Sequence, residues 1–343
     1  MREQGVGLGI IGLGFMGRRY ARFVNQLEGV SLAGICDVDG DLAREVAAEY
    51  GGAVYPDIDA LVRAADVAGV IVATPEDRHL EPAVAALAAG KPVLVEKPVA
   101  HSMEAARAIE EAAMRAGVPV LVGHLLRFEP RWAGAWRRIA AGEIGEVVSV
   151  ATRRIGNVGD QRVLRGRTTL PLYYGVHDLD VMRWFAGAEA TTLYARRRSG
   201  SVRAAGYDVD DLYVAVLTFA NGALGSAELG WCVPEAAAAA RTAGVLVVGT
   251  AGVIEIDQLE TGLRRWAGGG EDPGVDAMFW PETYGVPGGA LALEIAHFAE
   301  CVRGRAEPAI ALAEAVEALR LSLAMEASAR SGSVVDLATF GRV

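Results

Sequence analysis

Apolar and polar positions alternate along this chain in two different rhythms. Over the first ~125 residues, near-continuous apolar runs (VGLGIIG at 6–12, VSLAGICD at 30–37, GVIVAT at 69–74, PVLVEK at 92–97 and PVLVGH at 119–124) are separated by amphipathic, alanine-rich stretches. Those stretches, DLAREVAAEYG (41–51), HLEPAVAALAAG (79–90) and SMEAARAIEEAAMRAG (102–117), each end in glycine, as helix C-termini often do. Strands apolar on both faces need cover on both faces, so the pattern predicts repeated βαβ units and a doubly wound parallel sheet. After residue 125 the rhythm changes. EVVSVATRRI (146–155), TLYARRR (192–198), DLYVAVLTF (211–219), ALGSAELGW (223–231), VLVVGT (245–250) and VIEID (253–257) read as strands joined by short links. The Asn221-Gly222 pair between two of them is a hairpin signature, because a type I′ turn needs positive φ at both central residues. Helical patterns at 288–304 and 313–332 close the chain. The predicted organisation is an α/β domain over 1–124, then an α+β domain over 125–343 with a large, open, mostly antiparallel sheet.

Composition narrows the choices. A net charge of −10 and a pI near 5.1 argue against a nucleic-acid partner. No run of eighteen apolar residues is present, which argues against a membrane span. The glycine-rich stretch Gly5–Gly17 lacks a basic flank beyond Arg2 and a small-residue cleavage site, so it does not read as a signal peptide. Cys36, Cys232 and Cys301 match no metal spacing and read as idle thiols, in keeping with a cytoplasmic protein without a bound metal. Of the 33 basic residues only Lys91 and Lys97 are lysine, and they fall within seven residues of each other. A lysine amine can lose its proton in a suitable environment, whereas a guanidinium effectively cannot. Lys91, in a Gly-Lys-Pro turn, reads as a solvated charge.

Gly12-Leu13-Gly14-Phe15-Met16-Gly17 follows the first strand and opens a helix. The first glycine permits the tight turn, the second lets backbone approach a pyrophosphate, and the third lets helix and strand pack closely. The helix N-terminus presents N–H groups to phosphate. Asp37 ends the second strand twenty residues after Gly17, where a carboxylate accepts from the adenosine ribose; Val38 follows, not an arginine suited to a 2′-phosphate. The N-terminal domain therefore reads as a Rossmann domain binding NAD, with NADP the lesser alternative. Thr74-Pro75 and His79 sit where the third apolar run ends, the edge at which such sheets bind ligands. Taken alone, Thr74 reads equally as a helix cap and His79 as a packed histidine.

Set beside GLGFMG, ATPEDRH and GHLLRFEP, the triplet Glu96-Lys97-Pro98 resembles the Gfo/Idh/MocA family of NAD(P)-dependent sugar and polyol oxidoreductases, and GVHDLDVMRWFAG (175–187) and FWPETYGVPGGALALEIAHF (279–298) extend the likeness over nearly the whole chain. The resemblance implies a Rossmann domain followed by an open-sheet domain whose exposed face forms homodimers or homotetramers. It places Gly12, Gly14, Phe15, Met16, Gly17, Asp37, Thr74, Pro75, His79, Glu96 and Lys97 at the cofactor. Lys97, Arg127, Tyr173, His177 and Asp180 fall at the substrate. The Lys97–Pro98 bond is often cis in the family, setting the amine in the cleft. The family's Asp-x-Gly-x-His-x-x-Asp motif falls on Tyr173, Gly175, His177 and Asp180, so a tyrosine stands where the family has its first aspartate.

Oxidising an alcohol requires a base for the hydroxyl proton, a role that suits His177, and an ammonium such as Lys97 stabilises the developing alkoxide. Tyr173, with a reference pKa near ~10, is a hydrogen-bond donor and a poor anionic partner. The stretch Arg153–Arg167 holds five arginines in fifteen residues, which suggests an anionic or nucleotide-linked sugar or, equally, a solvated loop. Trp280, Glu282 and Tyr284 are further candidates to line the site or, equally, an aromatic core patch. The implied activity is NAD-dependent oxidation of a secondary alcohol of a sugar, inositol or nucleotide sugar. Two alternatives stand beside it: a catalytically silent NAD-binding regulatory protein, and an epimerase or eliminase that recycles its NAD.

Overall fold

The computed structural model describes residues 5–260, 265–267, 270–272 and 276–342. Two compact units emerge, one of Met1–Glu129 with Met278–Val316, the other of Pro130–Ala277 with Glu317–Val343.

The first unit is built on six parallel strands: β1 (Val6–Ile11), β2 (Val30–Cys36), β3 (Ala53–Val54), β4 (Gly69–Val72), β5 (Val93–Val95) and β6 (Val120–Val122), in the spatial order β3-β2-β1-β4-β5-β6. The apolar runs are strands because both faces are covered; every residue of β1, β4, β5 and β6 is buried. Helices α1 (Phe15–Gln26), α2 (Gly40–Tyr50), α3 (Ile58–Arg63), α4 (Leu80–Ala88) and α5 (Met103–Ala116) make the crossovers. Side chains cap some of their N-termini, Asp39 accepting from the N–H groups of Asp41 and Leu42 and Ser102 from that of Ala105, while Gly117 takes the left-handed conformation that stops α5 (φ 63°). The strand order reverses between β1 and β4, the switch point at which open parallel sheets bind ligands beyond their C-terminal ends.

The second unit opens with α6 (Pro130–Ala140) and holds a seven-stranded sheet. Its strands are β7 (Val147–Asn157), β8 (Ala190–Arg198), β9 (Leu212–Phe219), β10 (Leu224–Val233), β11 (Thr242–Gly249), β12 (Val253–Asp257) and the short β13 (Val335–Asp336), in the order β12-β11-β7-β10-β9-β8-β13. Every pairing is antiparallel except β7 with β10. That parallel pair follows from topology, because β7 leads into a long crossover through helix α7 (Val176–Ala186) before the chain returns to the sheet. β9 alternates strictly: Tyr213, Ala215, Leu217 and Phe219 are buried, while Val214 and Val216 are exposed. Helix α7 packs on the buried face, where Met182 Sδ lies 3.6 Å from Thr152 Oγ1. Gly225 of β10 is a glycine for this reason, since a Cβ there would sit 2.5 Å from Met182 Cε. Helices α8 (Gly289–Val302) and α9 (Leu312–Ser331) complete the fold. No helix among the described residues is long and apolar enough to cross a membrane, and no cluster of His, Cys, Asp and Glu there could hold a metal ion.

Candidate active site

The glycine turn is shaped by what surrounds it. Gly12 has φ 89°, open to glycine at little cost, and a Cβ on Gly17 would lie 1.9 Å from Gly12 O. A Cβ on Gly14, by contrast, would meet nothing within 4 Å. Two of the glycines are thus demanded by the chain itself, while the third leaves open space in front of the backbone. Helix α1 starts there with no side-chain cap and no acidic residue in its first turn, so its own first turn does nothing to offset its N-terminal field. Asp37 closes the turn from β2: Oδ2 accepts from Leu13 N–H at 2.6 Å and Oδ1 from Asp39 N–H at 2.8 Å. Phe15 and Val38 are exposed on either side.

Beyond β4, the Thr74 hydroxyl is buried and has no hydrogen-bond partner among the described residues, and Pro75 is exposed. His79 is buried, its Nδ1 2.9 Å from Pro98 O and its Nε2 2.9 Å from Thr74 O, so the ring spans the ends of β4 and β5. Burial lowers its pKa from the ordinary histidine value, outweighing those two carbonyls. Lys97 follows β5, and the Lys97–Pro98 peptide is cis, as the resemblance implies. Glu96 is buried, with Oε2 accepting the Lys97 backbone N–H at 3.1 Å. Lys91 donates to Val67 O at 2.6 Å, a structural bond rather than an idle solvated charge. The glycine turn, Asp37, Thr74 and Lys97 therefore lie beyond the C-terminal ends of β1, β2, β4 and β5, along one edge of one sheet. An uncovered helix N-terminus, open space at Gly14, a ribose-type carboxylate and an orphaned hydroxyl all fit a dinucleotide.

Other predicted positions have other partners. The Arg127 side chain is buried in the first unit and lies 3.4 Å from Glu314. Trp280 meets Phe15 edge-on at 6.2 Å, with the Arg19 guanidinium over both rings. Glu282 pairs with Arg22, and Tyr284 is fully exposed with φ 54°.

In the second unit a wide π-helical turn, Pro171–Gly175, runs directly into α7. Gly175 lets it approach β10, since a Cβ there would lie 2.9 Å from Leu229 Cδ1. Half-buried Tyr173 ends near Trp231 (centroids 5.9 Å apart), half-buried His177 stands in the first turn of α7, and Asp180 is buried one turn on. The neighbouring Tyr174 carries a contact the sequence did not disclose: its hydroxyl donates to Asp160 Oδ2 at 2.8 Å, and burial pushes its pKa well up. Gly156 makes room for that hydroxyl, as a Cβ would approach it to 2.4 Å.

The arginine-rich stretch is largely neutralised by its own surroundings. Arg154 is buried against Asp178 (2.7 Å) and Gln258 (3.1 Å), Arg153 pairs with Glu228 (2.9 Å), and Arg162 pairs with Glu235 (2.5 Å). Burial raises the pKa of Asp178, and the Arg154 charge opposes that shift.

A doubly wound sheet with this glycine turn, joined to an open-sheet domain, defines an NAD-binding oxidoreductase. Residues 6–124 match the Gfo/Idh/MocA oxidoreductase family's NAD-binding Rossmann fold, and residues 137–337 match that family's C-terminal alpha/beta domain. The chain belongs to the Gfo/Idh/MocA oxidoreductase family. It is 36% identical over 232 residues to inositol 2-dehydrogenase 2 of Saccharopolyspora erythraea, covering 65% of this chain and 66% of that protein. It is 31% identical over 275 residues to the 2,7-anhydro-N-acetylneuraminate hydratase of Escherichia coli K12, covering 77% of this chain and 71% of the hydratase. Among solved structures, scyllo-inositol dehydrogenase of Lactobacillus casei, with bound NAD(H) and scyllo-inositol, superposes with a TM-score of 0.83 at 20% identity over 98% of this chain and 100% of that one.

Proposed function

We propose that this oxidoreductase dehydrogenates a secondary alcohol of a neutral cyclic polyol or sugar, with an inositol as the leading candidate. The observation that carries the reading is the placement of Lys97 along the same sheet edge as the glycine turn, Asp37 and Thr74. Asp37 would hold the adenosine ribose, the α1 N-terminus the pyrophosphate, and Thr74 and Lys97 the other half of the dinucleotide. NAD, when bound, supplies the acceptor for the hydride leaving the alcohol carbon. His177 takes the hydroxyl proton as that carbon is oxidised to a carbonyl, and the Lys97 ammonium stabilises charge developing on the oxygen. Tyr173 donates a hydrogen bond to substrate, and Asp180 steadies the helix that carries His177.

The pairing of Arg153, Arg154 and Arg162 with acids favours a neutral substrate over a nucleotide-linked one, because guanidinium forks already satisfied by carboxylates are poor anion readers. The identity to an inositol dehydrogenase supports the same substrate class. A second reading, in which NAD is recycled and the net reaction is an elimination or hydration, is supported by the likeness to a hydratase and by Tyr173 in place of the family's aspartate. The exposed sheet face, with Tyr194, Val216 and Leu246 on three strands, supports homo-oligomerisation.

Formation of NADH at 340 nm with NAD and a panel of inositols, free sugars and UDP-sugars tests the reading. Turnover on inositols with none on UDP-sugars is the expected result. Conversion of 2,7-anhydro-N-acetylneuraminate without net NADH would transfer the assignment to the recycling reaction.

A further inference from the structure

Behind Lys97 lie two buried groups that the reaction above does not use. Tyr20 on α1 and Glu294 on α8 are wholly buried beside Glu96. The Tyr20 hydroxyl oxygen is 2.8 Å from Glu96 Oε1 and 2.8 Å from Glu294 Oε2. A phenol has one hydrogen to donate, and an ionised carboxylate has none. One hydrogen cannot serve both contacts, so one of the two carboxyls is a neutral acid donating to the phenol oxygen.

The surroundings decide which. Glu96 is compensated on its second oxygen by the Lys97 N–H and faces the Lys97 charge. Glu294 Oε1 is buried with no hydrogen-bond partner among the described residues, a position hostile to an anion. Burial and the charge of Glu96 push the Glu294 pKa well up. The chain of donors therefore runs from Glu294 Oε2–H to the Tyr20 oxygen, and from the Tyr20 O–H to Glu96 Oε1. The ionisable groups facing Glu96 are Tyr20 from α1, Glu294 from α8 and Lys97 from its own segment. Gly123 packs on the carboxyl without adding charge.

We propose that Tyr20 and Glu294 are positioning residues that hold a single negative charge on Glu96 and thereby keep Lys97 an ammonium in place. This rests on the reading of Lys97 as the group that stabilises the substrate oxygen. Two buried carboxyls separated by one phenol share one charge, and the phenol delivers its hydrogen to the member next to the lysine. Without that hydrogen, Glu96 competes with Glu294 for protons, and Lys97 loses its counter-charge.

Because the chain has only two lysines, the Lys97 titration can be read without a substrate. Protein labelled with carbon-13 at lysine Cε and saturated with NAD gives two lysine signals, assigned by Lys91→Arg. The Lys97 signal is expected to titrate about one pH unit lower in Tyr20→Phe than in the wild type, and equally low in Glu96→Gln. Glu294→Gln keeps a donor for the phenol oxygen and is expected to keep the wild-type titration. Infrared spectra at neutral pH are expected to show a protonated carboxyl C=O band that Glu294→Gln removes. An unshifted Lys97 titration in Tyr20→Phe, or a carboxylic acid region of the infrared spectrum that Glu294→Gln leaves unchanged, overturns the proposal. Turnover that persists in Lys97→Met would instead remove the catalytic role of Lys97, and the proposal with it.

Discussion

At Lys97 the chain keeps a lysine although arginine serves almost every other cationic position, and that scarcity singles the residue out in the sequence alone. Lys97→Met is expected to lower kcat by roughly 10²–10⁴-fold while NAD affinity stays within about twofold. Stopped-flow turnover with equilibrium NAD titration checks both. Tyr20 and Glu294 could not be found the same way, because their partner Glu96 lies 76 and 198 positions distant and only folding brings the three together. The buried acid also has a thermodynamic signature. Below the ordinary glutamate value of 4.5, Glu294 is protonated in both folded and unfolded chains. Above it the unfolded chain ionises and the folded one does not, so stability is lost as pH rises toward the elevated folded pKa. Glu294→Gln lacks that loss. Relative to the wild type it is expected to gain stability by up to about 1.4 kcal/mol per pH unit above pH ~4.5, measured by urea unfolding across that range. The arginines at 153, 154 and 162 teach the converse: their density is plain in the sequence, but the acids that absorb them sit on other elements.

Among the elements, the long periodic segments are readable nearly to their ends, because a strand apolar on both faces and an amphipathic helix closed by glycine leave few alternatives. The short pieces β3 and α3 are not, having too few residues to display a period. Helix α6 is hidden for another reason: PRWAGAWRRIA mixes bulky aromatics with arginine, and its apolar side becomes clear only where Trp132 lies parallel to Phe185, centroids 6.0 Å apart. The glycine turn gives a sharp test at this scale. Gly17→Ala is expected to cost about 1–3 kcal/mol, because its Cβ collides with backbone. Gly14→Ala is expected to leave stability within about 0.5 kcal/mol yet weaken NAD binding, since its Cβ occupies space that the chain leaves open. Chemical unfolding and calorimetric NAD titration of both variants separate packing from recognition.

For the molecule as a whole, the second unit's sheet carries exposed apolar side chains, Tyr194, Val214, Val216 and Leu246 among them. Val216 lies opposite Tyr194 on β8 and Ser226 on β10 in the strand register. If the proposed homo-oligomer forms through this face, Val216→Arg is expected to lower its mass in sedimentation while the far-ultraviolet dichroism stays unchanged. The change from parallel to antiparallel pairing is visible in the link lengths. What no linear reading could express is that the first compact unit is discontinuous, with residues 278–316 returning to it after six of the seven strands of the open sheet have been threaded.

That return has a consequence during synthesis. The Rossmann strands leave the ribosome first, yet the segment bearing Glu294 follows only after the intervening ~150 residues, a delay of roughly 10–30 s at ordinary elongation rates. Over that interval the nascent sheet waits with Tyr20 and Glu96 lacking their third partner. On the proposed support, mature Lys97 chemistry is expected only once nearly the entire polypeptide is made, so a prematurely released fragment would have a glycine turn to grip the dinucleotide but an unfinished support beneath its lysine.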